Sequence, residues 1–163
     1  MRDAVNLTVP EGTLDLASEF YQGTLGLVQA PVPEMQRGRL AWFNISTSGQ
    51  QIHVAFGPID TTPHPRHPCF KISSPEKLLE LRTKIWQHFE RGGEAAPTEA
   101  DEPGEESSAG ELCGGEDEGI PKDWSVKRIK LLSPDCKLGS KGVEYPTRFF
   151  ARDYAGNRLE FSL

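Results

Sequence analysis

The sequence predicts an α+β domain assembled from two similar halves. Three observations predict it. Six stretches alternate apolar and polar residues with the period of a strand, two repeat apolar residues with the period of a helix, and parts of the chain echo one another at fixed offsets.

In chain order, the first strand is expected at 4–9, where Ala4-Val5-Asn6-Leu7-Thr8-Val9 alternates. The start of the chain lacks the continuous apolar stretch of a secretion signal, so it reads as part of the folded domain. A helix is expected over 13–24, with Leu14, Ala17 and Tyr21 on one stripe, Leu16 and Phe20 beside it, and Gly26 to close it. Strands follow at 40–46, 51–56 and 67–72. The second helix has the clearest signal. Ser74 can cap it, Pro75 suits its first position, Leu78, Leu81, Ile85 and Phe89 recur on one face, and Gly92-Gly93 stops it. Two more strands are expected at 147–152 and 158–163.

The echo joins these elements into halves. Gly49 to Phe56 matches Gly156 to Leu163 in residue class at an offset of 107, which also lays Trp42-Phe43 on Phe149-Phe150. Ala4 to Val9 resembles His67 to Ile72 at an offset of 63. The two offsets differ by 44, close to the length of an unusual segment at 94–141, so a duplication emerges once that segment is set aside. One domain over 1–163 is therefore expected, with a first module at 3–58, a second at 66–93 and 142–163, and an insertion between the parts of the second.

The insertion is marked by composition. Residues 94–119 hold ten acids and no Lys or Arg, while 120–142 hold six basic and two acidic groups; together they account for the net charge of −6. The first stretch has almost nothing to bury and is expected to be a disordered acidic loop. The second, with Trp124, Val126, Ile129, Leu131 and Leu132 among Pro121, Pro134 and Gly139, reads as weakly docked chain; the same break in composition is compatible with a retained non-coding stretch.

Elsewhere the charge is balanced, so no surface is prepared to neutralise phosphates, and nucleic acid is not an expected partner. No apolar run approaches the roughly 20 residues that cross a bilayer, so no membrane partner is expected either. Cys69, Cys113 and Cys136 are an odd number without a C-x-x-C pair, which suggests neither disulfides nor a zinc ribbon and fits a reducing cytosol.

Alternation assigns the strand faces. Ile52, Val54, Phe56, Leu159, Phe161 and Leu163 should pack on the helices, leaving Gln51, His53, Ala55, Arg158, Glu160 and Ser162 opposite. On the first strand of each half, Ala4, Asn6, Thr8, His67, Cys69 and Lys71 share that opposite face. Equivalent strand ends then carry Ala4, His53, His67 and Glu160. His64 and His88 read as surface residues, and Cys69 as a small packed thiol.

Those four positions, together with Phe20-Tyr21-x-x-x-Leu25-Gly26-Leu27 and Asp153-x-x-Gly156-Asn157-x-x-Glu160, resemble the vicinal oxygen chelate superfamily of glyoxalases, extradiol dioxygenases, fosfomycin-resistance transferases and bleomycin-binding proteins. The resemblance covers 3–93 and 142–163. It implies paired β-α-β-β-β modules forming a curved mixed-sheet cup around a divalent metal. It further implies His53, His67 and Glu160 as ligands of Fe, Mn, Zn or Ni, with Glu160 also the catalytic group, and a small oxygen-rich substrate chelated through neighbouring oxygens. Ala4 takes the fourth ligand position and cannot coordinate.

Around such a site Lys71, Arg152 and Arg158 would meet an anionic substrate, and Trp42 and Phe149 would stack on a ring. Family members pair modules within a chain or between chains, which leaves a homodimer open. The rival expectations are a metal-free module of the bleomycin-binding kind, supported by Ala4, and an interaction protein that works through its acidic loop.

Overall fold

The computed structural model describes residues 4–47, 49–59, 67–104 and 147–163. Within them the chain forms two four-stranded mixed sheets with few helices, the α+β class expected.

The first half runs β1 (Ala4–Val9), α1 (Leu14–Ala17), a π-helical continuation (Ser18–Thr24), β2 (Val28–Ala30), a 3-10 turn (Glu34–Gln36), β3 (Leu40–Ile45) and β4 (Gln50–Phe56). The second runs β5 (Cys69–Lys71), α2 (Pro75–Arg91), β6 (Glu99–Ala100), β7 (Arg148–Arg152) and β8 (Arg158–Ser162). Sheet orders are β1-β4-β3-β2 and β5-β8-β7-β6. In each, the outer first strand is parallel to the last one, and the remaining pairs are antiparallel. The two halves therefore share one β-α-β-β-β topology.

Local chemistry explains the helices. Ser74 has extended backbone and its hydroxyl accepts from the Lys77 N–H at 3.3 Å, so one orphan donor of α2 is satisfied while Pro75 enters where no donor is needed. Gly92, at φ +72°, ends it. The buried stripe of α2 is Leu78, Arg82, Ile85 and His88, so two polar residues share the inward face with the aliphatics. His88 is only 2% exposed, which corrects its expected place on the surface. Its Nδ1 lies 2.6 Å from the Thr24 hydroxyl at the end of the π-helical segment, and this bond ties the two halves. The wider π turns, closed by Leu25 N–H to the Phe20 carbonyl, bring the adjacent residues Phe20 and Tyr21 into the core together.

One buried cluster serves both sheets. Leu7, Val9, Phe43, Ile52 and Val54 from the first join Phe149, Ala151, Leu159 and Phe161 from the second, with Phe20, Tyr21, Leu78 and Ile85 from the helices. Burying such side chains contributes about 1.5–3 kcal/mol each relative to exposure. Among the described residues no helix is long and apolar enough to cross a membrane.

Residues 94–104, expected to open the acidic insertion, instead belong to the fold. Glu99 and Ala100 pair with Arg152 and Ala151, and Asp101 is buried, accepting the Phe150 N–H at 2.8 Å. Arg82, 3% exposed, donates to the carbonyls of Asp101 and Glu102. Backbone pairing and an arginine from α2 hold this acidic stretch where its own composition could not. The acidic and basic stretches expected at 105–141 lie outside the described residues, as does His64.

Candidate functional site

In both halves the site residues lie on the sheet face turned away from the shared core, as alternation requires. In the second half, His67 just before β5 and Glu160 on β8 meet, with His67 Nε2 2.8 Å from Glu160 Oε2 across 93 residues of chain. The parallel pairing of Cys69 with Glu160, and a bond from the Glu160 N–H to the Pro68 carbonyl at 3.0 Å, fix that approach. The imidazole also sets its edge on the Phe150 ring at 5.5 Å between centroids. Its Nδ1 is buried and has no partner among the described residues. When Nε2–H donates to Glu160, the lone pair of Nδ1 is left available to an acid or an electrophile.

Two arginines border this pair. The Arg158 guanidinium, 9% exposed, lies 4.4 Å over the Phe150 ring; Arg148 lies 6.0 Å from the same ring and 3.9 Å from Glu160 Oε1. The patch thus gathers two cations, one carboxylate and an imidazole around an aromatic plate.

In the first half, His53 on β4 stacks on Trp42 of the neighbouring strand, 4.5 Å and 12° apart, because the two are register partners. Its Nε2 is 3.2 Å from Gln51 Oε1, and Gln51 in turn donates to Asn44 Oδ1 at 2.7 Å. Partial burial lowers the His53 pKa, which favours the neutral, lone-pair-bearing imidazole. The Trp42 indole N–H is buried and has no partner among the described residues. Ala4, exposed, stands beside Gln51 on β1, so the position equivalent to His67 has no donor atom.

The structure joins two of the three expected ligands and not the third. Among the described residues no group of three His, Cys, Asp or Glu side chains could hold a metal ion, so His53 does not reach His67 and Glu160 within this set.

The expected substrate contacts divide as well. Trp42 and Arg158 lie on the site faces. Lys71 is exposed on β5. Arg152 is engaged with Glu99 at 2.9 Å and the Gly156 carbonyl at 3.2 Å. Phe149 is corrected: it is 0% exposed, stacked on Phe161 inside the core, and Phe150 takes the place across from Glu160.

The reason is a difference of one residue between two turns. Ile45 pairs with Gln50 across four residues, whereas Arg152 pairs with Arg158 across five. One extra residue shifts register by one and moves the neighbouring aromatic to the other face. The sequence signal that would have found Phe150 is this longer turn, which Asp153 organises by accepting the N–H groups of Ala155 and Asn157. Arg148 carried no sequence signal. Cys69 is exposed, with its sulfur 3.4 Å from the Ser162 hydroxyl, and is not the packed thiol expected.

Comparison with solved structures places this architecture. A glyoxalase family protein from Bacillus anthracis superposes with a TM-score of 0.54 at 21% identity, covering 99% of this chain and 92% of that one. A fosfomycin resistance protein, FosX, from Listeria monocytogenes, complexed with Mn(II) and 1S,2S-dihydroxypropylphosphonic acid, gives 0.52 at 14%, covering 99% and 87%. A glyoxalase/bleomycin resistance protein/dioxygenase from Alicyclobacillus acidocaldarius gives 0.50 at 18%, covering 98% and 89%. The fold is the vicinal oxygen chelate fold that the sequence motifs implied. No family model matches the chain, and no curated protein does.

Proposed function

We propose that the chain is a metal-dependent protein that grips neighbouring oxygens of a small substrate, with His67 and Glu160 as two of its metal ligands. The observation that carries this reading is the 2.8 Å approach of His67 to Glu160, an imidazole and a carboxylate brought together from 93 residues apart at the positions the family resemblance marks. The FosX structure that holds Mn(II) has the same fold. The donor set suits a borderline divalent ion.

His53 completes the set from a second copy of the chain, since within the described residues it does not join the pair. A homodimer is therefore part of the proposal. When bound, the metal would act as a Lewis acid toward oxygens on which negative charge develops. His67 and Glu160 hold each other's orientation, Phe150 limits the imidazole's rotation, and Arg148 and Arg158 bring positive charge to an oxygen-rich anion. His53, whose partial burial favours the neutral form, presents a lone pair beside the Trp42 plate.

The test is elemental analysis after incubation with Mn(II), Fe(II), Ni(II) and Zn(II). We expect His67→Ala and Glu160→Ala to lose bound metal, and an equimolar mixture of His53→Ala and Glu160→Ala chains to recover part of it through mixed dimers. Less than about a tenth of an equivalent in the unaltered protein, with any of the four ions, would end the proposal.

A second reading is favoured by Ala4, which removes the fourth donor: a metal-free module that holds an aromatic or cationic molecule, as the bleomycin-binding proteins do. In that case Glu160→Ala would leave ligand affinity unchanged.

A further inference from the structure

Gln51 is 2% exposed although it lies on the site face of β4, two residues before His53 and on the same side of the strand. A buried polar group left unmatched costs about 1–3 kcal/mol, so both ends of its amide need partners. Its Nε2 donates to Oδ1 of Asn44, the register partner on β3, at 2.7 Å, and its Oε1 faces His53 Nε2 at 3.2 Å. On the other side Ala4 of β1 has no polar side-chain atom to offer. The amide is thus engaged between Asn44 and His53.

The direction of this chain of bonds has a chemical consequence. An amide oxygen can only accept, so the hydrogen between Oε1 and the imidazole sits on Nε2, and the lone pair of the neutral ring is then on Nδ1. Trp42 covers a face of the same ring, at 4.5 Å and 12° between planes. Face and edge together define one orientation, because turning the ring over would put a carbon where Nε2 now meets Oε1. The second half has a parallel. Arg158, which matches Gln51 at the offset of 107, is also a buried polar residue two places before the expected ligand Glu160.

We propose that Gln51 is a positioning residue for His53: anchored by Asn44, it holds the imidazole as the Nε2–H tautomer and so makes Nδ1 the nitrogen offered to a metal ion. The hold on the tautomer stands by itself, whereas its use toward a metal rests on the function proposed above.

Proton–nitrogen correlation spectra of the imidazole rings test both parts. They are recorded on the full chain at about pH 8, where histidine is neutral, first without metal and then with Zn(II), and His53→Ala identifies the signal. The expected result is the Nε2–H tautomer, with Zn(II) shifting Nδ1 while Nε2 keeps its hydrogen. Asn44→Asp, whose side chain can only accept, should leave the tautomer as it is; a chain of bonds running the other way would be reversed by it. Gln51→Leu, shown to be folded by its backbone spectrum, should speed exchange of the Nε2 hydrogen with water. It should also weaken Zn(II) by about tenfold or more, since groups that orient a metal-binding histidine are worth about 10- to 100-fold in affinity. Gln51→Glu, which keeps an acceptor, should retain the tautomer. An Nδ1–H tautomer in the unaltered protein, a tautomer reversed by Asn44→Asp, or an exchange rate unmoved by Gln51→Leu would each overturn the proposal. Zn(II) bound through Nε2 would end the assignment of Nδ1 and leave the metal-dependent reading intact. Failure to take up Zn(II) or any of the other three ions would end that reading and with it the use of Nδ1, while the tautomer of the metal-free protein would still decide whether Gln51 positions His53.

Discussion

The hydroxyl of Tyr21 donates a 2.6 Å hydrogen bond to the carboxylate of Asp153, 132 residues away, with both side chains fully buried. The two sequence motifs at opposite ends of the chain are thus halves of one fastening. Asn157 extends it, donating to Asp153 Oδ2 at 2.9 Å and to the Thr8 carbonyl at 2.9 Å. Burial lifts the Tyr21 pKa well above 10 and raises that of Asp153, although Tyr21, Asn157 and Ala155 oppose the second shift by donating to the carboxylate. Tyr21→Phe removes one donor and should cost about 1–2 kcal/mol in urea unfolding. Asp153→Asn should cost about 1–3 kcal/mol, because its amide would confront the Asn157 donor. The double variant should cost less than the two added together, as expected for partners in one network.

A buried histidine, His88, and a half-buried one, His53, set a pH dependence. Burial lowers the pKa of His53; for His88 burial acts first, the Arg91 charge adds to it, and Glu19 opposes it. A histidine whose folded pKa is depressed binds fewer protons folded than unfolded, so stability falls as pH drops below the ordinary value of 6.5. The urea midpoint should decrease between about pH 7.5 and 5.5. His88→Leu should flatten that slope while losing the bond to Thr24. An unchanged slope would show that His88 protonates freely in the folded state.

Adjacent phenylalanines on β7 should behave differently. Phe149 is wholly inside the core, and Phe149→Ala should cost about 3–5 kcal/mol. Phe150 is the plate beneath Arg158 and beside His67. Phe150→Leu should cost only about 1 kcal/mol. Its main effect should be on the imidazole signal of His67 in NMR spectra, which will shift as the ring contact is lost. Equal stability losses in the two variants, with no change at His67, would contradict the register described above.

Arg82 holds residues 101–102 to α2. Arg82→Met keeps the aliphatic stem but removes the donors to two carbonyls, and should cost about 2 kcal/mol. The Phe150 amide, which depends on Asp101, should then exchange with solvent markedly faster.

Much of this architecture was legible in the sequence because strong periodicity coincides with burial. The caps of α2, the alternation of β1, β3, β4, β7 and β8, and the offsets relating Ala4 to His67 and His53 to Glu160 all have local causes. What escaped has non-local ones. Strand β2 is three residues long and β6 is two, and both are edge strands whose composition is overridden by pairing. Glu99 and Asp101 read as solvated acids until β7 is seen beside them. His88 reads as surface until Thr24 is placed against it. Of the candidate site, the meeting of His67 with Glu160 was foreseeable from the duplication. The exchange of Phe149 for Phe150 rests on the length of a turn, which residue-class matching at a single offset passes over.

The antiparallel pairing of β6 with β7 has an evolutionary consequence. Residues 99–100 and 151–152 lie side by side, the first stretch held to α2 through the Arg82 bonds to the carbonyls of Asp101 and Glu102 and the second paired with β8. Joining two arms that are already held side by side costs little more as the join lengthens, about 0.6 kcal/mol of closure entropy for each doubling. Natural selection is therefore free to change the amount of sequence between such arms without unseating the sheet, as one changes the thread between two fixed posts.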